Sequence, residues 1–237
     1  MIAAHDITGL VLAGGRGSRM GGIDKGLQLL HGKPMALHVL ERLRPQVGHL
    51  LLNANRHLET YRTWDVPVIT DADAGTDTDD TAPAEVPPSR AYSTAPSYEG
   101  PLAGFLAGLT HCTTPWLLTV ACDTPYFPAD LAQRLAVAAD AQQALIAMPV
   151  AMESEAGRAL SMRSQPTFCL INRSVLPSLR AFVQAGGRKI DRWTSQHPLA
   201  LVPFEQPHDD PHAFANINTL TELALAHSQP SAHPPRA

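Results

Sequence analysis

Short apolar runs alternate along this chain with stretches whose apolar positions recur at helical spacing. The first run is Ile7–Leu12, the length of a buried strand. Pro34 then stands where a helix can begin, and Met35, Leu37, Val39, Leu40 and Leu43 form an apolar stripe that stops before Pro45. Residues 49–54 read as a second strand with Asn53 at its carboxyl end, 57–64 as a short helix, and 66–70 as a third strand halted by Asp71. Tyr98-Glu99-Gly100-Pro101-Leu102-Ala103-Gly104 opens a helix running to about His111. Trp116–Ala121 is a strongly apolar strand that runs into Cys122-Asp123-Thr124-Pro125. Beyond it the pattern predicts a helix over 128–139, a strand over 144–150, a hairpin or loop over 152–165 and a strand over 167–171. Then come a helix over 175–184 with Gly186 and Gly187 at its C-cap, a short helix over 189–196, a strand Leu199–Phe204 and a helix over 219–226. Strands alternating with helices predict an α/β protein, three layers deep, with a Rossmann-like, mostly parallel sheet. No internal repeat is present.

Two stretches break the alternation. Residues 75–97 are rich in Pro, Thr, Ser and acid and offer almost nothing to bury, so they cannot offset their ordering entropy and read as a disordered surface insertion. The Pro- and Ser-rich residues 227–237 read as a mobile tail, leaving 1–226 as one domain.

Composition narrows the classes. A chain of 237 residues can bury a proper core. A formal net charge of −4 provides no global field for nucleic acid or an acidic membrane surface. The apolar runs fall well short of the ~20 residues that span a bilayer, and the amino terminus lacks a signal-peptide pattern. Cys112, Cys122 and Cys169 form no C-x-x-C pair, which suits reduced, buried thiols in the cytoplasm.

The candidate chemistry begins directly after the first strand, in Leu12-Ala13-Gly14-Gly15-Arg16-Gly17-Ser18-Arg19-Met20-Gly21-Gly22-Ile23-Asp24-Lys25-Gly26. A loop so poor in Cβ atoms lets backbone N–H groups approach an anion, and Arg16, Arg19 and Lys25 add positive charge. It is not a P-loop, because Asp24 and Gly26 flank Lys25 where that pattern needs Gly before and Ser or Thr after. It is not a dinucleotide fingerprint either, since Met20 stands where its third glycine belongs.

Ligands of an open doubly wound sheet gather at the carboxyl ends of its strands. The polar residues expected there are the glycine loop, Asn53, Asp71 and Asp123. Asn53 and Asp71 singly also fit a cap or turn. A carboxylate following a buried apolar strand needs a charged partner, and for Asp123 the simplest is Mg²⁺, with Asn216 or Asn218 as a second oxygen. Lys25 is compact enough to follow phosphate oxygens through a reaction. His208 and His212 have an i, i+4 spacing, but Pro211 forbids the helix that would align them on a metal.

The motifs L-A-G-G-x-x-x-R-M-G-G-x-D-K-G, N-A-N-R-H, V-I-x-D, Y-x-G-P-L-A-G, C-D-T-P-Y, Q-P-T and N-I-N-T-x-x-E-L occur in an order that resembles the molybdenum cofactor guanylyltransferases. The resemblance implies a nucleotidyltransferase fold of the nucleotide-diphospho-sugar transferase type. It also implies transfer of GMP from GTP to molybdenum-molybdopterin, with release of pyrophosphate. Leu12, Ala13, Gly14 and Gly15 would line the nucleotide and Lys25 would meet its phosphates. Asn53 and Asp71 would fix the guanine nucleotide, Gly100 and Gly104 would border the nucleoside, and Asp123 would bind Mg²⁺. Arg188, Asn216 and Asn218 fall where the family handles the pterin, and Lys25, Asp123 and Arg19 are the expected catalytic residues. Molybdenum insertion proteins and molybdoenzyme chaperones are the implied protein partners. Related cytidylyltransferases tend to read L-A-A-G, so the second glycine of Leu12-Ala13-Gly14-Gly15 favours a purine; a CTP or sugar-phosphate enzyme and a non-catalytic cofactor-presenting protein are the alternatives. The chain departs from the family in its longer 75–97 segment and in Gln165, where relatives often carry histidine.

Overall fold

Strand β1 (Ile7–Leu12) is covered on both faces, and that burial sets the architecture. A strand sandwiched between two helical layers needs apolar side chains on alternate sides, hence its nearly continuous apolar run. The computed structural model describes residues 1–15, 24–75, 100–153, 161–219 and 221–223. After β1 come the short β2 (Leu29–Leu30) and β3 (Lys33–Pro34), α1 (Met35–Leu43), β4 (His49–Asn53), α2 (Leu58–Tyr61) and β5 (Val68–Ile69). The second half carries α3 (Pro101–His111), β6 (Trp116–Ala121), α4 (Leu131–Gln142), β7 (Ile146–Glu153), β8 (Ser161–Ser164), β9 (Leu170–Asn172), α5 (Leu176–Gln184), α6 (Ile190–Thr194) and β10 (Leu199–Phe204).

The main sheet has eight strands in the order β10-β7-β9-β6-β1-β4-β5, with β8 paired to β7. β1 lies parallel to both β4 and β6, its register placing Leu12 level with Asn53 on one side and with Ala121 on the other. On one face, Val39, Leu40 and Leu43 of α1 and Leu131, Leu135 and Ala139 of α4 join the core. The opposite face is covered by Leu102, Phe105, Leu106 and Leu109 of α3, Leu179 of α5 and Trp193 of α6. Gly108 lets α3 approach closely, since a Cβ there would lie 2.4 Å from Leu10 Cδ2. The three-layer, mostly parallel sheet expected from the sequence is present, and among the described residues no helix is long and apolar enough to cross a membrane.

Two features were not foreseen. β9 runs antiparallel to both β6 and β7. A parallel return needs a crossover, usually helical; here β7 folds back through β8 instead, so the chain re-enters the sheet reversed. The β2–β3 hairpin turns on His31 (φ 50°) and Gly32 (φ 76°), the left-handed pair a two-residue hairpin loop requires. Residues 76–97 of the expected insertion, the end of the expected 219–226 helix and the 227–237 tail lie outside the described residues.

Successive strands spread from β1 toward β5 in the first half and away from β6 in the second, so the sheet reverses its winding between β1 and β6. The last described segment returns to this point. Phe214 packs edge-on against Phe168 and Phe204, with ring centroids 5.2 and 5.3 Å apart, and Ile217 N–H donates to Asp123 O at 2.8 Å. Replacing Phe214 by alanine should cost roughly 3 kcal/mol, a fall in Tm of about 6–12 °C for a chain of this size. An unchanged melting curve would show that this aromatic contact does not hold the carboxyl-terminal segment.

Candidate active site at the switch point

The D-K-G sequence is explained by the contacts around it. Asp24 precedes a 3₁₀ turn, Lys25–Leu27, and caps it by accepting from Gly26 N–H at 3.1 Å. The same carboxylate oxygen accepts from the buried Tyr61 hydroxyl at 2.8 Å. Burial, and after it the Asp24 carboxylate, push the Tyr61 phenol far above its ordinary pKa, so it remains a donor. A Cβ on Gly26 would lie 2.4 Å from that hydroxyl, so only glycine leaves Tyr61 room to reach the cap. The turn is thereby fixed with Lys25 directed at the ends of β1 and β6.

There the Lys25 ammonium meets Asp123 Oδ2 at 2.8 Å and Asn218 Oδ1 at 2.6 Å. Both partners of the ion pair are largely enclosed, with side-chain exposures of 21% and 15%. Asn218 belongs to a segment stitched to the residues after β6: Thr124 Oγ1 donates to Asn216 Oδ1 at 2.6 Å, beside the Ile217–Asp123 backbone bond. Beyond it, Glu222 accepts from the backbone N–H groups of Asn218 and Thr219 at 2.6 and 2.9 Å, while Thr219 Oγ1 accepts from Glu222 N–H at 3.1 Å. This reciprocal capping box starts the last described helical turn.

A second cluster lies across β1, at the carboxyl ends of β4 and β5. Asp71 accepts from Asn53 Nδ2 at 3.0 Å on one oxygen and from Asn55 Nδ2 at 2.8 Å on the other, and its backbone N–H donates to Asn55 Oδ1 at 2.9 Å. Two glycines make room for these amides. A Cβ at Gly14 would lie 2.6 Å from Asn55 Nδ2, and one at Gly104 would lie 2.9 Å from Asn53 Oδ1. Gly15 has open space where a side chain would be. A side chain at position 14 would therefore press on the Asn55 amide. Leu12 and Ala13 continue β1 through backbone bonds, Cys122 N–H to Leu12 O at 3.1 Å and Ala13 N–H to Asn53 O at 2.8 Å, and Arg56 donates to Gly15 O at 2.8 Å.

The structure thus brings Lys25, Asp123, Asn218 and Asn216 together, and separately Asn53, Asp71, Gly14 and Gly104. Gly100, at φ 84°, opens α3. Arg188 is exposed between α5 and α6 and is not among the residues hydrogen-bonded to Lys25, Asp123 or Asn218. Arg16 and Arg19 lie outside the described residues. Gln165 sits in a turn, its carbonyl accepting from Phe168 N–H. The three cysteines are buried and free, and burial raises the thiol pKa of Cys122 and Cys169, which keeps both thiols protonated. Among the described residues no three His, Cys, Asp or Glu side chains cluster as a metal cage. Asn55, Tyr61, Thr124 and Glu222 were not singled out from sequence, although Asn55 lies in the N-A-N-R-H motif and the T-x-x-E spacing marks the capping box.

The same architecture occurs in molybdopterin-guanine dinucleotide biosynthesis protein A from Archaeoglobus fulgidus (TM-score 0.67, 20% identity, covering 93% of this chain and 96% of that one). It occurs also in 2-C-methyl-D-erythritol 4-phosphate cytidylyltransferase from Thermus thermophilus (TM-score 0.59, 15% identity, 92% and 96%). A family model described as the MobA-like NTP transferase domain matches residues 9–200, so fold and sequence define a nucleotidyltransferase, a class that generally works with a divalent metal. A molybdenum cofactor guanylyltransferase from Acidovorax sp. (strain JS42) is 56% identical over 224 residues, 94% of this chain and 96% of that one. Another from Albidiferax ferrireducens is 49% identical over 233 residues, 98% and 100% of the two chains. The chain belongs to the molybdenum cofactor guanylyltransferase family.

Tyr61→Phe removes the hydroxyl from Asp24 and leaves that buried carboxylate oxygen one donor short. A loss of roughly 1–3 kcal/mol and a Tm lower by about 2–12 °C are expected in thermal denaturation. A variant as stable as the parent would mean that the phenol does not anchor the turn.

Proposed function

We propose that the enzyme transfers GMP from GTP to the terminal phosphate of molybdenum-bound molybdopterin, and that the Lys25–Asp123–Asn218 cluster is where the phosphates react. The observation that carries the assignment of the site is the meeting of Lys25 and Asp123, 98 residues apart in sequence, at the reversal of the sheet. An oxygen of the acceptor phosphate attacks the α-phosphorus in line; one P–O bond forms, the bond to the β-phosphate oxygen breaks, and pyrophosphate leaves with the electron pair. A phosphate anion needs no general base, so the protein's contribution is positioning and charge stabilisation. The Lys25 ammonium exchanges its protein acceptors for phosphate oxygens as charge moves toward pyrophosphate. Backbone from Leu12 to Gly15, with Arg19, lines the phosphates. Asn53 and Asp71, bordered by Gly100 and Gly104, take the purine nucleoside, and Arg188, Asn216 and Asn218 face the pterin substrate.

Two hard oxygens already converge on one cation, Lys25 Nζ, at 2.8 and 2.6 Å. Asp123, with Asn218 beside it, therefore fits Mg²⁺, an ion that takes one or two protein oxygens and keeps its other positions for phosphate and water. Bound there it would neutralise charge on the α-phosphate and the departing pyrophosphate. The reading places the enzyme in the cytoplasm, working as one domain over residues 1–226 and exchanging its substrate and product with molybdenum insertion proteins and molybdoenzyme chaperones.

Incubation with GTP, Mg²⁺ and molybdenum-loaded molybdopterin should yield the guanine dinucleotide by mass. Activity with CTP or a sugar phosphate in place of these substrates, or GTP binding without product, would overturn the assignment. Asp123→Ala should cut kcat by about 10²–10³-fold or more with the fold intact by circular dichroism. Near-parental turnover at saturating Mg²⁺ would remove Asp123 from the reaction. Chelation with EDTA should stop turnover and added Mg²⁺ should restore it.

A further inference from the structure

We infer that Asn55 is a positioning residue for the nucleotide, acting by holding the Asp71 carboxylate in one orientation between the glycine turn and β5. The inference rests on the proposal above that Asp71 meets the purine nucleoside. A carboxylate on a short side chain can rotate, and its capacity to bind depends on which lone pairs its neighbours take. Here Asn53 donates to Oδ1 and Asn55 to Oδ2, and a donor on each oxygen fixes the plane of the group. Asn53 could do half of this alone. It is Asn55 that makes the arrangement rigid, because its side chain also accepts from the Asp71 backbone N–H at 2.9 Å, so one amide grips both the backbone and the side chain of the same residue.

Asn55 itself has little freedom to move. Its Nδ2 lies so close over Gly14 that a Cβ there would come within 2.6 Å. The adjacent Arg56 donates to Gly15 O at 2.8 Å, joining the same stretch of chain to the next residue of the glycine turn. Asn55 therefore couples two parts of the proposed nucleotide site, the turn expected beside the phosphates and the carboxylate expected at the nucleoside.

Two substitutions separate this role from simple support of the turn. Asn55→Ala removes both bonds to Asp71. Asn55→Asp keeps an oxygen to accept from the Asp71 N–H, so the turn keeps its backbone tie, but sets a second carboxylate against the first in place of a donor. If Asn55 orients the carboxylate, the Kd for GTP by titration calorimetry and the KM for GTP should rise about tenfold in Asn55→Ala, the size of one lost hydrogen bond to a charged group. They should rise further in Asn55→Asp, with kcat and the KM for the pterin substrate within about twofold of the parent. Parental GTP affinity in Asn55→Asp would reduce Asn55 to a backbone anchor and overturn the inference; because that variant keeps the backbone bond, it decides the matter even where Asn55→Ala does not fold. Asp71→Ala distinguishes the two levels of failure. Weakened GTP binding there, with no change in either Asn55 variant, would refute the role of Asn55 alone. Unchanged GTP binding in Asp71→Ala would remove Asp71 from the nucleotide site and the inference with it.

Discussion

A single ammonium group joins three parts of the chain that sequence keeps far apart. Lys25 follows the first strand, Asp123 follows the sixth, and Asn218 lies close to the last described residues, yet two oxygens stand within 2.8 Å of Lys25 Nζ. The arrangement constrains much of the fold around it. Lys25 reaches Asp123 because Asp24 caps the turn that Lys25 begins and Tyr61 holds Asp24. Asp123 is there because β6 pairs beside β1 in a register that ends both strands level. Asn218 arrives because Phe214 is seated among Phe168 and Phe204 and because Ile217 N–H binds the carbonyl of Asp123 itself. A pair so enclosed stabilises the fold only while both members keep their partners, which ties the integrity of each of these supports to the site.

Glycines carry the complementary constraint. At positions 14, 26 and 104 the missing side chain makes room for a polar group: Asn55, the Tyr61 hydroxyl and Asn53 respectively. The glycine-rich motif thus records contacts inside the protein as well as any approach of a ligand. Only Gly15 faces open space among the glycines described in the turn after β1, which marks that stretch as the accessible one.

The parts of this structure that could be read from sequence are those set by local pattern or by a motif of fixed spacing. Strands β1, β6 and β10 were legible because burial on both faces, or alternation on one, writes itself directly into consecutive residues. The reversed β9 was not, since its direction depends on how the chain returns from β7 and no residue within Leu170–Asn172 encodes that. The same division holds in the site. Asp71 and Asp123 closely follow the apolar runs of β5 and β6, and Lys25 closes the glycine loop, so all three were expected. Asn55 and Tyr61 act through contacts 16 and 37 residues away, a distance at which periodicity carries no signal, and both remained hidden until the chain was folded.

The two clusters flanking β1 differ in their electrostatics, and that difference bears on how a nucleotide is received. On the β4–β5 side a carboxylate accepts from two neutral amides, one on each oxygen. On the β6 side a carboxylate is met directly by an ammonium, and the charges cancel within 2.8 Å. A carboxylate can accept from the donors of a nucleobase or a ribose, whereas an anionic phosphate offers it none. On the function proposed above, a phosphate would enter the second cluster by exchange, its oxygens meeting Lys25 while Asp123 would be left to hold a divalent cation. Such an exchange leaves no enclosed charge without a partner before or after binding, which keeps its desolvation cost low. On the function proposed above, a nucleotide with its base toward Asp71 and its phosphates toward Lys25 would satisfy both clusters, and the reverse orientation would satisfy neither.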